Sequence, residues 1–130
     1  MSTEETKAVV RRFIDTFYRR DAAAFREVTG PDLAKVAIEE WMPAQDAMWA
    51  DRRLDITEMM AEDDWVWARL SRSGRQIGEW MGLPPTGKTS TGTGIGFMRV
   101  AGGKVVEFSA LWDDLVRLQQ LGGVVVPGGQ

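Results

Sequence analysis

Histidine and cysteine are both absent from this sequence of 130 residues. Without cysteine there is no disulfide, no thiolate nucleophile and no thiolate metal ligand. Without histidine the chain cannot form a Ser-His-Asp triad, use an imidazole as acid or base, or bind a metal through the most common ligand. Any proton transfer must therefore use carboxylates, lysine, tyrosine or water.

Long apolar runs and an excess of basic charge are also lacking. The net charge is −3, and the only basic cluster lies on one predicted helix, at Arg11, Arg12, Arg19 and Arg20. A surface that follows nucleic-acid phosphates needs wider clusters, so we expect no nucleic-acid partner. No segment approaches transmembrane length and MSTEETK does not resemble a signal peptide, so we expect a cytoplasmic protein with no membrane partner.

The hydrophobic pattern places helices before strands. A capping box at residues 2–5 and apolar residues at helical spacing predict a helix over residues 4–19. Shorter helices are predicted at 21–28 and 43–50, while residues 32–42 are ambiguous between helix and strand. From Leu54 the period changes to two, and the predicted strands are 54–61, 65–71, 76–81, 89–100 and 104–112.

The remaining segments are predicted turns, a short terminal helix or turn, and a C-terminal tail. Ser73-Gly74 and Ala101–Gly103 are predicted turns, residues 113–121 a short helix or turn, and about 123–130 a C-terminal tail. Helices followed by an antiparallel meander describe an α+β protein, and the length suits a single domain over residues 1–130.

The segment GLPPTGKT, residues 82–89, matches the phosphate-loop pattern G-x-x-x-x-G-K-[ST] letter for letter. A phosphate loop needs consecutive backbone N–H groups that point at the phosphates, and a helix directly afterwards. Pro84 and Pro85 have no N–H, and the following TSTGTGIGF favours a strand over a helix. The match therefore does not indicate a nucleotide site.

The same stretch, read as GEWMGLPPTGK (78–88), resembles the signature turn of SnoaL-like polyketide cyclases. These belong to the superfamily of nuclear transport factor two and ketosteroid isomerase. The hairpin RVAGGKVVE (99–107) and the ending DDLVRLQQLG (113–122) resemble the family in the same order. The resemblance implies a cone-shaped α+β barrel, with N-terminal helices packed in a strongly curved, mainly antiparallel sheet around an apolar pocket. It also implies a homodimer through the outer sheet face, and chemistry without metal or cofactor.

Two family residues are missing from this chain. Ring-closing members of the family use an Asp on the last strand as acid or base, helped by a His on the neighbouring strand. Aligned on the flanking residues, this chain has Ala110 at the Asp position and Gly96 at the His position. The implied fold transfers to this chain, but the mechanism does not.

Other side chains are candidates for that chemistry. Asp113 and Asp114 follow the last predicted strand. A carboxylate at the entrance of an apolar pocket can act as a general base. Each of the two could instead cap the last helix. Asp113 is the stronger of the two because it shares strand parity with Ser109. Glu40 is a third candidate, with a solvated helix face as the alternative. Tyr18 could donate to a substrate oxygen or lie on the outside of the first helix.

Tryptophan is unusually frequent, with six residues. Trp65 and Trp67 share one strand face and are predicted to form part of a dimer interface. The predicted substrate-binding residues are Trp41, Trp49, Trp80, Trp112, Phe17, Met98 and Ser109. Flat aromatic walls suit a polycyclic ligand, although aromatic residues could equally fill the core.

The resemblance and the aromatic content together imply an enzyme of antibiotic biosynthesis. It would cyclise or otherwise tailor an apolar, polyketide-like substrate, mainly by folding it in an aromatic pocket. One alternative is a cofactor-independent hydroxylase of a polycyclic substrate. Another is a ligand-binding protein without turnover, which the loss of both family residues favours.

Overall fold

The computed structural model describes residues 1–123, and within them helices precede a four-stranded sheet. The helices are α1 (Thr3–Arg19), α2 (Ala22–Glu27), α3 (Pro31–Val36), α4 (Met42–Met48) and α5 (Asp114–Gln120), with a π-helical turn at Ala37–Trp41. The strands are β1 (Trp49–Glu62), β2 (Trp65–Gln76), β3 (Thr89–Ala101) and β4 (Lys104–Trp112). The predicted C-terminal tail lies outside the described residues except for Gly123. None of the described helices combines the length and the apolar character needed to cross a membrane.

Helix α1 begins at the predicted capping box. Ser2 Oγ accepts a hydrogen bond from the Glu5 N–H at 3.1 Å, and the Glu5 carboxylate accepts one from the Ser2 N–H at 3.1 Å. Its helical spacing buries Val10, Phe13 and Ile14 on one face. That face packs against all four strands, so α1 fills the interior of the curved sheet.

The segment that was ambiguous in the sequence is helical. Residues 32–36 belong to α3, and in the π-helical turn the Met42 N–H donates to the carbonyl of Ala37, five residues earlier. The helix continues into α4, where Pro43 is the second residue, and ends at Met48, two residues before the predicted end. It ends there because Trp49 already pairs with Gln76 in the sheet.

The sheet is antiparallel in the order β1-β2-β3-β4. β2 and β3 pair without interruption from Trp65–Arg99 to Arg75–Thr89, whereas β1 shows register shifts near Ala50 and Ile56. Such irregularities bend and twist a strand, which helps the sheet to curve around α1. The predicted α+β cone is therefore confirmed.

The predicted turn at Ser73-Gly74 and the predicted strand over 76–81 are wrong. β2 continues through Gly74, which pairs with Ser90 on β3, and ends at Gln76. The strand persists because Arg75 pairs on both sides, with Ala50 and with Thr89. A glycine at a strand interior can serve close packing instead of a turn, and a Cβ at position 74 would lie 3.5 Å from the Cβ of Trp49.

A buried glutamine organises the loop that contains GLPPTGKT. Gln76 Nε2 donates to the carbonyls of Gly78 and Leu83, both at 3.0 Å. Its Oε1 accepts from the N–H of Thr86 at 3.1 Å and from its hydroxyl at 2.8 Å. The segment then enters β3 at Thr89, so the strand predicted after the loop is confirmed.

Candidate functional site

A cavity of about 170 Å³ lies between α1, the π-helical turn and the inner face of the sheet. Its wall is mainly apolar, formed by Phe13, Ile14, Phe17, Trp41, Leu54, Leu70, Phe108 and Trp112. Three polar side chains also line it: Tyr18, Gln45 and Arg72. An apolar pocket with a few convergent polar groups is the usual form of a small-molecule site.

Two tryptophans close this cavity, each positioned by a local feature of the backbone. Trp41 ends the π-helical turn, and its ring centroid lies 6.0 Å from that of Phe108. Trp112 pairs with Gly94, and a Cβ at position 94 would lie 2.4 Å from Trp112 Cε3. The missing side chain at Gly94 therefore allows the indole to lie against β3 and form the wall.

Arg72 is held at this wall by two contacts. Its guanidinium lies 4.0 Å above the Trp112 ring, and Nη2 donates to Asp114 Oδ1 at 2.8 Å. Burial lowers the pKa of Arg72, while the hydrogen bond and charge of Asp114 act to raise it. The stacked, ion-paired arginine therefore presents a fixed positive charge to the cavity.

Tyr18 is the only tyrosine in the chain and lines the cavity. Burial raises the pKa of its phenol, and the charges of Arg52, Arg72 and Arg117 partly oppose that rise. The guanidinium of Arg52 lies 5.5 Å from the Tyr18 ring centroid and pairs with Asp46 at 2.9 Å. At neutral pH the hydroxyl is therefore protonated and able to donate a hydrogen bond.

A second aromatic cluster surrounds Arg117, away from the cavity lining. Its guanidinium lies 3.9 Å above the Trp49 ring and 5.6 Å from the centroid of Trp80, and its Nε donates to Ser90 Oγ at 3.0 Å. Burial is the main cause that lowers the pKa of Arg117 to about 10. This cluster holds α5 and the loop after β2 against the start of β1.

The structure brings together three of the seven predicted substrate-binding residues. Phe17, Trp41 and Trp112 line the cavity. Trp49 and Trp80 instead belong to the cluster around Arg117, with ring centroids 5.6 Å apart. Met98 is fully buried in the core, and Ser109 is exposed on the outer face of β4.

None of the three predicted catalytic carboxylates is among the residues that line this cavity. Asp113 caps α5 by accepting from the Val116 N–H at 3.4 Å. Asp114 reaches the site through its ion pair with Arg72, and Glu40 is exposed on the π-helical turn. Within residues 1–123, no group of three acidic side chains is arranged to hold a metal ion.

The two positions that the sequence predicts to replace the family's acid–base residues are direct neighbours. Gly96 on β3 pairs with Ala110 on β4. Ala110 has the same strand parity as Phe108 and Trp112, both of which line the cavity. The alignment made from the sequence therefore places both positions on the inner face of the sheet.

Sequence reasoning missed Arg72 and left Tyr18 undecided. A signal for Arg72 was present in the alternation along β2, because Val66, Ala68 and Leu70 are buried and position 72 follows the same parity. An arginine that continues an apolar strand face is unusual, and it indicates a buried functional or structural charge. Gln45 and Leu54 gave no comparable signal.

Comparisons with known proteins agree on one family. The model of the SnoaL-like polyketide cyclase family matches residues 1–121. The chain is 30% identical over 96 residues to aklanonic acid methyl ester cyclase of Streptomyces peucetius, a match that covers 74% of this chain and 64% of that enzyme. It therefore spans less than two thirds of this relative.

Solved structures support the same fold. TsrD from Streptomyces laurentii has a TM-score of 0.84 at 18% identity, over 95% of this chain and 99% of that chain. AclR from Streptomyces galilaeus, which has been proposed to be a hydroxylase, has a TM-score of 0.80 at 26% identity. That match covers 98% of this chain and 91% of AclR.

Proposed function

Because the chain belongs to the SnoaL-like polyketide cyclase family, we propose that it cyclises or otherwise tailors a polyketide-like substrate in the cavity between Trp41 and Trp112. The observation that carries this proposal is the cavity wall, which combines six aromatic side chains, Tyr18 among them, with the polar groups of Tyr18, Gln45 and Arg72. Such a wall favours a flat, largely apolar ligand, whose orientation the polar groups fix.

Catalysis in this cavity depends mainly on how the substrate is folded. Ala110 and Gly96 supply no acid or base, and in the described residues no carboxylate lines the cavity. Holding the two reacting carbons of a flexible chain in contact can supply several kcal/mol, on the order of 7 or more in favourable cases. Asp114 is the predicted carboxylate that the geometry supports best, because it positions Arg72.

A turnover assay tests this function directly. The protein is incubated with linear and partly cyclised aromatic polyketide esters, and the products are analysed by mass spectrometry and NMR. Ring closure by aldol addition leaves the mass unchanged and creates a new carbon–carbon bond. We expect Asp114→Asn to slow turnover more than Asp113→Asn does, because only Asp114 contacts a cavity residue. Full turnover in both variants would remove Asp113 and Asp114 from the mechanism.

Hydroxylation is the second candidate, favoured by the 26% identity with AclR across nearly the whole chain. An electron-rich phenolate substrate would react with oxygen itself in the same apolar cavity. Oxygen consumption with a product that gains one oxygen atom and loses two hydrogen atoms, while the second oxygen atom leaves as water and the substrate supplies all the electrons, would establish this reaction and reject cyclisation. Saturable binding with unchanged ligand would instead identify a binding protein.

We also propose that two copies pair through the outer face of the sheet. Trp67 is 51% exposed there, and its ring centroid lies 4.9 Å from that of Phe97. Further exposed apolar side chains surround this pair, at Met60, Trp65, Ile95 and Leu111. Ion pairs between Arg69 and Glu58 and between Arg99 and Glu107 lie on the same sheet, so an apolar centre has charged surroundings, as at many interfaces.

A further inference from the structure

More positive charge is buried around Tyr18 than the neighbouring carboxylates neutralise. Arg52, Arg72 and Arg117 all act on the ionisation of Tyr18. The side chains of Arg52 and Arg72 are 6% and 13% exposed, and Arg117 is buried. Arg117 makes no ion pair with any residue in the described part of the chain. A buried cation without a full counter-charge is unfavourable, so this cluster favours an anion.

Three buried guanidinium nitrogens have no hydrogen-bond acceptor within residues 1–123. They are Nε and Nη1 of Arg52 and Nε of Arg72. The Nη2 atoms of the same two arginines are occupied, by Asp46 and by Asp114. Folded proteins pair nearly all buried polar atoms. When N–H donors of a charged guanidinium have no acceptor within the folded protein, they indicate that a bound ligand supplies the acceptor.

Arg72 and Tyr18 both line the cavity, and Nε of Arg72 is buried without an acceptor in the described part of the chain. Trp112 and Asp114 hold the guanidinium in place without using Nε. Gly92 pairs with Arg72 across β2 and β3, and a Cβ at position 92 would lie 3.7 Å from Nε. Because position 92 is glycine, no side chain from there contacts Nε.

We propose that the cavity binds its substrate through an anionic oxygen, which accepts hydrogen bonds from Arg72 and from the Tyr18 hydroxyl. A carboxylate and the enolate of a β-dicarbonyl compound share this chemistry. Both are delocalised oxygen anions that a guanidinium binds through charge-assisted hydrogen bonds. The inference rests on the proposed function for the apolar part of the substrate, and it adds an anionic group that contacts Arg72 and Tyr18.

Calorimetric titration with matched probes tests this site without requiring turnover. The naphthoate anion and neutral naphthamide have the same ring system and differ in charge. We expect naphthoate to bind about tenfold or more tightly than naphthamide. The enolate of an acylated cyclohexanedione serves as a third probe, and comparison with naphthoate shows which oxygen anion the site prefers.

Variants at position 72 assign the preference to one residue. We expect Arg72→Gln to weaken naphthoate binding about tenfold and to leave naphthamide within about twofold. Arg72→Lys keeps the positive charge but lacks the planar guanidinium group, and we expect it to retain part of the preference for naphthoate over naphthamide. Arg69→Gln is the matched control, because Arg69 lies on the same strand but is 65% exposed and pairs with Glu58.

The outcomes separate this inference from the proposed function. Equal affinity of the unmodified protein for naphthoate and naphthamide would overturn the anionic site and leave a neutral polyketide substrate in place. A preference for naphthoate that survives in Arg72→Gln would also overturn it, because another group would then hold the anion. Absence of binding by all three probes would reject the site, while the turnover assay decides the proposed function independently.

Discussion

Trp112 occupies the space that a side chain at Gly94 would need, with its Cε3 atom 2.4 Å from where a Cβ would lie. We therefore expect Gly94→Ala to displace the indole and to lower the free energy of unfolding by about 1–3 kcal/mol, as overpacking usually does. Urea denaturation measures the change. Gly92→Ala is the control, because its Cβ would meet Arg72 Nε at an ordinary 3.7 Å. Equal stability of the two variants would contradict this account of the cavity wall.

Gln76 is expected to anchor the loop that contains GLPPTGKT. Gln76→Leu removes four hydrogen bonds, so the Gly78 carbonyl loses the Gln76 donor and the Leu83 carbonyl keeps only the Trp80 N–H. We expect a loss of about 2–4 kcal/mol of unfolding free energy, measured by chemical denaturation. Gln119→Leu, at an exposed position on α5, should change stability by less than about 0.5 kcal/mol. If Gln76→Leu lowers the unfolding free energy as little as this control does, the loop keeps its conformation without the Gln76 side chain.

Tyr18 provides a spectroscopic measure of the buried charge, because no other tyrosine contributes to the phenolate absorbance. Its pKa is raised by burial, so the titration midpoint should lie above the ordinary value of 10.0. Arg72 lowers the pKa of Tyr18, so Arg72→Gln should move the midpoint still higher, while Arg69→Gln should not move it. A downward shift in Arg72→Gln would mean that the two side chains do not interact as described.

The same ionisation sets a limit on stability at alkaline pH. The folded-state pKa of Tyr18 is raised above its unfolded value, so its neutral form contributes stability that is fully present below pH 10.0. That contribution is lost as the pH rises through the folded pKa. Tyr18→Phe removes the group, and we expect its unfolding free energy to fall less steeply than that of the unmodified protein in this range. Parallel pH profiles would exclude Tyr18 as a source of the alkaline loss.

Leu111 tests the proposed dimer, since it is 70% exposed on the outer face of β4. Leu111→Glu places a charge among the exposed apolar side chains that surround Trp67 and Phe97, and we expect it to convert a dimer into a monomer in sedimentation velocity. Leu115→Glu on α5 is the control, because Leu115 is also exposed but lies off the sheet. If the unmodified protein sediments as a monomer, the outer face does not join two copies.

Much of the fold was predictable because local signals and tertiary contacts agree in most elements. Ser2 and Asp21 cap the helices that follow them, and Gly102 and Gly103 adopt the positive φ angles of the predicted hairpin turn. Residues 32–42 gave no clear period because the π-helical turn adds one residue and interrupts the 3.6-residue repeat. Gly74 was misread because local sequence does not show which neighbouring strands pair there.

The site was less predictable than the fold. Phe17, Trp41 and Trp112 line the cavity because they lie on elements that surround it. Trp49 and Trp80 are equally aromatic, but they pack around Arg117 in a separate cluster. Residue type shows that a side chain is apolar, but which cluster it joins depends on long-range packing.

The π-helical turn at Ala37–Trp41 has a consequence for how this protein can change over evolution. It contains one more residue than an α-helical turn, and successive helical residues differ in direction by about 100°. Deletion or insertion of one residue there would replace Trp41 by a neighbour of different size while the surrounding strands keep their sequence. A change in length by one residue is therefore a short mutational route to a differently shaped cavity and a new substrate range.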